Sequence, residues 1–273
     1  MPELPEVETV RRGLEKNIIG RQIKKIIINR AKTIQNLSAD EFTEKLTNGI
    51  FKNISRKAKY LFLELESGQV LLVHLKMSGA FLIQKSETEL SQHIHVIFVL
   101  DNGLELRFKD LRAFGRMNLY ESSSQVPNLA LAPEPLEKAF TLKHFELSLQ
   151  KCSGSIKAIL LDQRKVVSGI GNIYADEALF ASGINPNKKA NLLNKNEIQK
   201  LYKSIQEIIK ASIEAGGTTI RDYVNTEGNL GEYALQLFVY GQKKKNCKIC
   251  GEKIQYIKLA QRGTHFCPNC QKP

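Results

Sequence analysis

Two closely spaced pairs of cysteines near the carboxyl terminus constrain this chain more than any other feature. Cys247 and Cys250 form one Cys-x-x-Cys pair, and Cys267 and Cys270 form a second pair after sixteen intervening residues. Two turns at this spacing present four thiolates tetrahedrally, which is the geometry that zinc prefers, whereas a redox dithiol needs only one pair. Few apolar residues separate the pairs, so the sequence predicts one structural zinc ion that supplies the folding energy of a small module.

Basic residues outnumber acidic ones across the whole chain. Forty lysines and arginines face 28 aspartates and glutamates, a formal net charge of +12 over 273 residues. Such an excess favours nucleic acid as the partner, with an anionic membrane surface second. Several of the basic residues surround the cysteine pairs: Lys243, Lys244, Lys245, Lys248, Lys253, Lys258, Arg262 and Lys272.

The chain has neither a secretory signal nor an apolar stretch long enough to cross a membrane, which needs about 18 residues. We therefore expect a cytoplasmic protein with no membrane partner. A reducing compartment opposes disulfides. The fifth cysteine, Cys152, stands apart from the two pairs and is predicted to be a small core residue.

Residues 1–121 have the pattern of a β-rich domain. Short apolar runs alternate with turn signals such as Ser67-Gly68 and Asp101-Asn102-Gly103, which predicts antiparallel meanders packed as a two-layer sandwich. Before the strands, apolar residues at helical spacing predict a helix from Glu6 to Gly20.

The rest of the chain has a different character. Residues 122–135 are rich in serine and proline and predict a linker. Residues 136–237 read as a helical domain, with helices between Lys143 and Ala215, and residues 238–273 hold the cysteine module. The sequence thus predicts a multidomain α+β protein.

The amino terminus is a candidate chemical site. Initiator methionine is normally removed before proline, which would leave Pro2 with a free secondary amine beside Glu3 and Glu6. Such an amine can attack a carbon that bears a leaving group and then form an iminium. From these residues alone, the alternative is a helix start whose acidic residues merely suit the helix dipole.

Six segments resemble the formamidopyrimidine-DNA glycosylase (Fpg) family, in the expected order and over nearly the whole chain. They are PELPEVETVRRGLE at the amino terminus, RKAKYL at 56–61, HLKMSG at 74–79, GIGNIYADEALF at 169–180, GGTTIRDY at 216–223 and AQRGTHFCPNCQ at 260–271. The resemblance implies a helix-two-turn-helix domain after the β-sandwich and a zinc-finger β-hairpin at the carboxyl end. It also implies repair of oxidised purines in DNA.

The resemblance assigns catalytic roles to five residues. Pro2 falls on the nucleophile that attacks the sugar C1′, and Glu3 on its partner in proton transfer. Glu6 falls on a supporting carboxylate of the active site. Lys59 falls on a lysine linked to β-elimination and phosphate contact. Arg262 falls on an arginine that clamps phosphate and is associated with δ-elimination, for which a planar guanidinium is well suited.

The resemblance also assigns DNA contacts. Asn172 falls on a phosphate ligand at a helix start. His93, Arg112 and Lys157 fall near other DNA contacts. Met77, Arg112 and Phe114 resemble the trio that fills the stack when a nucleotide is extruded.

Two departures from the family pattern stand near these contacts. The segment DLRAFG, at 110–115, lacks a proline and a second arginine that some family members have, which bears on preference for the opposite base. Lys76 stands where glycine is common and adds positive charge to the expected DNA surface.

The leading hypothesis is a monomeric, bifunctional glycosylase and AP lyase that removes 8-oxoguanine and formamidopyrimidines from damaged duplex DNA. One alternative is an endonuclease VIII-like enzyme for oxidised pyrimidines, which GGTTIRDY and the intact zinc-hairpin segment disfavour. The other alternative is a non-catalytic zinc-containing protein that only binds DNA.

Overall fold

The computed structural model describes residues 1–219 and 224–272, which form two compact units. The first unit contains residues 1–128 together with the described parts of 215–232. The second unit contains residues 129–214 and the chain from 233 onward. The segment after the longest helix therefore returns to the unit that holds the amino terminus.

The first helix, α1, spans Leu4–Ile18 and begins two residues before the predicted start. Its buried apolar residues recur at helical spacing, and Pro5 lies in the first turn, where a missing N–H has no cost. The earlier start has a local cause, because the backbone N–H of Glu3 donates to Glu6 Oε2 at 2.7 Å and caps the helix. The chain leaves the helix through Gly20, whose φ is +75°.

Eight strands follow in two antiparallel sheets, which confirms the predicted sandwich. The strands are β1 Ile23–Ile28, β2 Phe51–Lys57, β3 Tyr60–Leu65, β4 Val70–His74, β5 Gly79–Lys85, β6 Ile94–Leu100, β7 Leu104–Asp110 and β8 Arg116–Tyr120. One sheet has the order β1-β6-β7-β5 and the other β2-β3-β4-β8. The predicted turns at Ser67-Gly68 and Asp101-Gly103 join antiparallel neighbours in these sheets. Apolar residues of both sheets and of α1 form one buried core.

A short helix between the first two strands, α2 at Ala39–Leu46, was not predicted. It buries only Phe42 and Leu46, one turn apart, so its sequence shows too little periodicity to stand out. Ser38 and Glu41 nevertheless form a capping box, in which each side chain bonds the other residue's backbone N–H.

The second unit contains four helices of more than one turn among its described residues, as the sequence predicted. They are α3 Leu142–Gln150, α4 Ile156–Leu161, α5 Asn172–Ala181 and α6 Lys195–Glu214. Helix α5 starts at the GIGN turn, where Gly169 has a φ of +87°, and it is buried on nearly all sides. Helix α6 is the long amphipathic helix of the prediction, with its apolar face inward.

Two adjacent carboxylates of α5 hold the cysteine module, which follows residue 237. Glu177 accepts hydrogen bonds from the backbone N–H groups of Phe238, Val239 and Tyr240, at 2.7 to 2.9 Å. Burial raises the pKa of Glu177 even against these three donors. Asp176 bonds the hairpin made by β9 Gln255–Leu259 and β10 Arg262–Phe266.

One predicted core residue is not in the core. Cys152 is only half-buried at the end of α3, where its thiol donates to the carbonyl of Ser148 at 3.3 Å. Cys152 lies in the turn after α3, where the chain is close to the surface. Its apolar character alone does not predict this position. Among the described residues, no helix combines the length and the apolar character that crossing a bilayer demands.

Candidate active site

The amino-terminal residues are buried in the first unit. Pro2 is buried directly before α1, while Glu3 and Glu6 are 2% and 1% exposed. Glu3 is the N-cap residue of α1 and Glu6 lies in its first turn, where the partial positive charge of the helix N-terminus stabilises negative charge. Pro2 is therefore close in sequence to two buried carboxylates, and a carboxyl group is a type of side chain that can donate or accept a proton.

Glu6 also joins the helix to a distant part of the chain. Its Oε2 accepts the N–H of Glu3, and its Oε1 accepts the N–H of Thr218 at 2.8 Å. Gly217, with a φ of +86°, leaves room for this contact, because a Cβ there would lie 3.0 Å from Glu6 Oε1. The start of the GGTTIRDY segment is thus fixed against the amino terminus, whereas residues 220–223 lie outside the described chain.

Lys59 lies at the tip of the hairpin between β2 and β3 and is 6% exposed. The preceding residue, Ala58, has a φ of +50°, a conformation that normally favours glycine. Arg56 braces this turn, since its guanidinium donates to the carbonyl of Ala58 at 3.0 Å and pairs with Glu8 of α1 at 3.1 Å. A buried lysine on a braced turn has few alternative positions.

His74 is a site residue that the sequence analysis missed. Burial, together with the positive charges of Lys76 and Lys59, lowers the pKa of His74 to about 3. Its Nδ1 accepts the N–H of Lys76 at 2.9 Å, so the neutral ring carries its proton on Nε2 and can donate there. HLKMSG contains this histidine, but its environment depends on neighbours in three strands.

His74, Lys76 and Arg116 line a cavity of about 230 Å³ at the end of the sheet β2-β3-β4-β8. Tyr60, His74 and Arg116 are paired across neighbouring strands and share one face. The remaining lining residues are Gln35, Leu72 and Asn118. Among the described residues, the lining contains cations and hydrogen-bond donors but no carboxylate, a composition that suits a phosphate group.

The predicted stack-filling residues lie in two turns that a buried carboxylate holds together. Asp110, which is fully buried, accepts from Ser78 Oγ at 2.6 Å and from the N–H of Gly115 at 2.6 Å. Ser78 follows Met77, and its Oγ also accepts the N–H of Arg112 at 3.0 Å.

Two side chains on these turns, those of Arg112 and Phe114, are exposed to solvent. Phe114 is 47% exposed, and the guanidinium of Arg112 lies over its ring at 5.2 Å from the centroid. Met77 is half-buried. His93, also half-buried, lies just before β6, where its carbonyl accepts the N–H of Asp110 at 2.9 Å. Asp110 and Ser78 are supporting residues that the sequence analysis did not single out.

The second unit contains the other predicted site residues. Arg262 is exposed at the first position of β10. Asn172 opens α5, and its Nδ2 donates to the carbonyl of Gly263 at 2.9 Å. Lys157 is fully buried, and its amine pairs with Asp176 at 2.6 Å. The predicted DNA contact through Lys157 is thus not supported by its position, because the amine is enclosed in protein.

The four cysteines of the two pairs fit a zinc ion. Their Sγ atoms all lie within 4.8 Å of one another, with 3.4 Å between Cys250 and Cys267 and 3.9 Å between Cys247 and Cys270. Tetrahedral zinc with Zn–S bonds of about 2.3 Å separates its sulfurs by about 3.8 Å. The module therefore holds one structural zinc through Cys247, Cys250, Cys267 and Cys270.

Known families match this chain in three consecutive parts. Residues 1–117 match the formamidopyrimidine-DNA glycosylase N-terminal domain, and residues 131–224 match the H2TH domain of the same glycosylase. Residues 244–273 match a zinc finger found in FPG and IleRS. The formamidopyrimidine-DNA glycosylase of Listeria monocytogenes is 42% identical over 275 residues, covering 100% of both chains. This chain belongs to the formamidopyrimidine-DNA glycosylase family.

Other members of the Fpg family agree over the full length. The formamidopyrimidine-DNA glycosylase of Ligilactobacillus salivarius is 44% identical over 274 residues and covers 99% of each chain. A Lactococcus lactis FPG mutant in complex with a Fapy-dG containing DNA matches with a TM-score of 0.93 and 38% identity, over 100% of both chains. Wild-type Lactococcus lactis FPG with an oxidised-pyrimidine-containing DNA matches with a TM-score of 0.93 and 36% identity, again over 100% of both chains.

Proposed function

We propose that this protein is a base-excision repair enzyme that removes oxidised purines, 8-oxoguanine and formamidopyrimidines, from duplex DNA and then cuts the strand. The observation that carries the proposal lies at the amino terminus, where Pro2 is buried and the carboxylates of Glu3 and Glu6 are almost fully shielded from water. Membership of the Fpg family supports the same reaction.

Base removal begins at Pro2 once Met1 has been removed. The nitrogen lone pair attacks C1′ of the damaged nucleotide, and the bond between C1′ and the base breaks. The base leaves with the bonding electrons and takes up a proton. Glu3, the adjacent carboxyl, transfers a proton as the sugar ring opens and the nitrogen becomes an iminium. Glu6 supports this step by holding the N–H of Glu3 and the start of the loop at Thr218.

The iminium then permits two eliminations. Withdrawal of electrons toward the nitrogen makes a C2′ proton acidic, and its loss expels the 3′ phosphate. A second elimination along the same chain of carbons expels the 5′ phosphate. We assign Lys59 to the first elimination and to phosphate contact, as the resemblance implies; the residue lies at the tip of a braced turn. We assign Arg262 to the phosphate and to the second elimination.

An extruded base leaves a gap in the duplex. The three residues on the turns that Asp110 joins, Met77, Arg112 and Phe114, are suited to fill this gap. The ring of Phe114, the guanidinium of Arg112 and the thioether of Met77 are flat or unbranched groups that stack on bases. We also assign His93 to the DNA contacts, as the resemblance implies. Asn172 retains a role at phosphate, because an amide nitrogen has two N–H groups and Gly263 occupies one.

A second lesion class has an observation in its favour. The structure of Lactococcus lactis FPG with an oxidised-pyrimidine-containing DNA is that of a protein 36% identical to this chain. We therefore propose that oxidised pyrimidines are minor substrates. Single-turnover excision from duplexes with 8-oxoguanine opposite cytosine and with thymine glycol opposite adenine ranks the two classes. Faster excision of thymine glycol would favour the endonuclease VIII-like alternative.

Borohydride trapping on lesion-bearing DNA tests the proposed chemistry. The wild-type protein is expected to form a covalent complex, whereas Pro2→Gly is expected to form much less, since it lacks the secondary amine. Pro127→Gly, the same substitution in the linker, is the matched control and is expected to trap like wild type. Tight binding without any trapping by the wild type would support the DNA-binding alternative instead.

We further propose that the enzyme acts as a monomer in the cytoplasm or nucleoid. We retain the boundaries 1–121, 122–135, 136–237 and 238–273 as a proposal for its domains and linker. Limited proteolysis is expected to cut first in the linker, which has few regular elements. Cleavage first within a predicted domain would contradict these boundaries.

A further inference from the structure

The most deeply buried charges of the second unit belong to an ion pair that the proposed reaction does not use. The side chains of Lys157, on α4, and Asp176, on α5, are both 0% exposed, and the amine lies 2.6 Å from Asp176 Oδ1. Removing two charges from water costs free energy, and this cost offsets much of the attraction between them. A buried ion pair is therefore weak evidence that its purpose is to stabilise the fold. Its contacts indicate a different purpose.

Both partners of the pair also bind the zinc-finger hairpin. Lys157 Nζ donates to the carbonyl of Gly263 at 2.9 Å and to Thr264 Oγ1 at 2.8 Å. Asp176 Oδ2 accepts the backbone N–H of His265 at 2.9 Å and lies 3.3 Å from its ring Nδ1. The pair therefore contacts three consecutive residues, and these directly follow Arg262 in β10.

The tip of this hairpin is under backbone strain. The two residues of its turn, Ala260 and Gln261, have φ values of +48° and +58°, which side chains other than glycine rarely adopt. Gly263 packs closely against the ring of Tyr256. A Cβ at this position would lie only 2.5 Å from the hydroxyl oxygen of Tyr256. Strained conformations persist only where their surroundings hold them. Lys157 and Asp176 bond residues 263–265, in the strand that leaves this turn.

We propose that Lys157 and Asp176 are positioning residues, which as a buried ion pair fix residues 263–265 and thereby the direction in which Arg262 leaves the hairpin. This inference rests on the proposed role of Arg262 in clamping phosphate and in the second elimination. It gives Lys157 a function that its burial permits, in place of the predicted phosphate contact. The backbone that carries Arg262 must be rigid, because a misplacement of a catalytic group by roughly 1 Å can slow the reaction about 100-fold.

The direct test uses a duplex with a preformed abasic site, so that base excision does not limit the reaction. For Lys157→Met we expect the second elimination to slow by between about tenfold and about 100-fold. Borohydride trapping, which reports on Pro2, should stay near wild type. Combining Lys157→Met with Arg262→Ala should be no slower than Arg262→Ala alone, because a positioning residue has nothing left to position.

Lys188→Met is the matched control. Lys188 forms an ion pair of the same length, 2.6 Å, with Glu197 in the same unit, but neither residue bonds the hairpin. Its removal should leave both eliminations unchanged. Zinc content and thermal unfolding of every variant show whether the fold survives.

Lys157→Met leaves Asp176 as a buried, unpaired charge, and that variant alone can fail to fold. Lys157→Met combined with Asp176→Asn removes both charges and should restore zinc content and thermal stability while the second elimination stays slow. Thr264→Val keeps both charges and removes one acceptor of Lys157. Amide hydrogen exchange of residues 262–266 should rise in both variants and not in Lys188→Met.

The outcomes separate this inference from the proposed function. Absence of trapping by the wild type would refute the function itself. A wild-type protein that traps, with a second elimination that Lys157→Met leaves unchanged or slows independently of Arg262→Ala, would overturn the inference alone. Full recovery of the second elimination in the variant without either charge would also overturn it. If Arg262→Ala leaves that step unchanged, Arg262 and its positioning pair both lose the assigned role.

Discussion

The β-sandwich of the first unit and the cysteine module of the second are both built from antiparallel strands, yet different interactions stabilise them. The sandwich encloses a continuous apolar core to which both sheets and α1 contribute. The apolar cluster at the module consists of Val239, Ile254, Phe180 of α5, and two of the metal-binding cysteines. Burial of apolar surface is enough for the sandwich, while the module depends on sulfur ligands and on two carboxylates of α5.

The two regions support their reactive groups in different ways. In the sandwich, Lys59 and the stack-filling residues lie on turns at the edge of a core that is already rigid. In the module, Arg262 directly follows a strained two-residue turn, and the apolar cluster of the module is small. In this account, zinc and a buried ion pair fix the hairpin that carries Arg262, whereas apolar packing fixes the turns of the sandwich.

The largest expected effect is on the module. Cys247→Ala should abolish zinc binding and weaken DNA binding, since structural zinc contributes on the order of 10 kcal/mol to such small modules. The sandwich should stay folded, because its core contains none of the metal ligands. Zinc content, circular dichroism and DNA affinity measure these effects, with Cys152→Ala as the control that keeps zinc. Unfolding of the whole chain by Cys247→Ala would remove the distinction between the two regions.

The reverse test removes a side chain from the sandwich core. Leu63 is 0% exposed in β3, and Leu63→Ala should lower the free energy of unfolding of the first unit by about 2–5 kcal/mol through the cavity that it leaves. Zinc content should not change. Denaturant unfolding together with a zinc assay measures both quantities. Loss of zinc in this variant would mean that the module depends on the sandwich.

A smaller effect concerns pH. His74 has a pKa of about 3 in the folded protein, mainly because it is buried, whereas an unfolded histidine has a pKa of about 6.5. Below pH 6.5 the unfolded state binds a proton that the folded state does not, so stability falls on acidification, by up to about 1.4 kcal/mol per pH unit. His74→Gln should flatten this dependence between pH 6.5 and pH 4 in denaturant titrations. An unchanged slope would show that folding does not lower the pKa of His74.

The smallest effect concerns salt. Neutralisation of about six phosphates gives a slope near −5 when the logarithm of DNA affinity is plotted against that of salt concentration. If the cavity beside His74 holds a phosphate, Arg116→Gln should reduce this slope by about 1. Lys52→Gln, an exposed lysine near the other end of β2, is the control. Equal slopes for Arg116→Gln and wild type would exclude that phosphate.

The features that the sequence predicted correctly are those encoded by neighbouring residues. The spacing of Cys247, Cys250, Cys267 and Cys270 specifies a metal site, because each pair needs only one turn. Strand alternation and turn residues specify the two sheets in the same way. Helix α2 was not predicted because it is short and buries only two apolar residues, although a capping box begins it.

The features that were missed depend on partners far apart in the chain. Glu6 and Thr218 are 212 positions apart, and Lys157 and Thr264 are 107 apart. The burial of Lys157 and the low pKa of His74 follow from tertiary packing, which a motif does not encode. The resemblance implied a DNA contact near Lys157, whereas the structure connects Lys157 to the backbone that follows Arg262.

The central claim is that the nitrogen of Pro2 is the nucleophile, and its acylation tests this claim most directly. A cleavable extension before Pro2 converts the amine into an amide, which has no nucleophilic lone pair. The same protein after proteolytic release of Pro2 is the control, with mass spectrometry to verify each form. We predict no borohydride-trapped complex with 8-oxoguanine DNA before cleavage and efficient trapping after it. Equal trapping by the two forms would contradict the account.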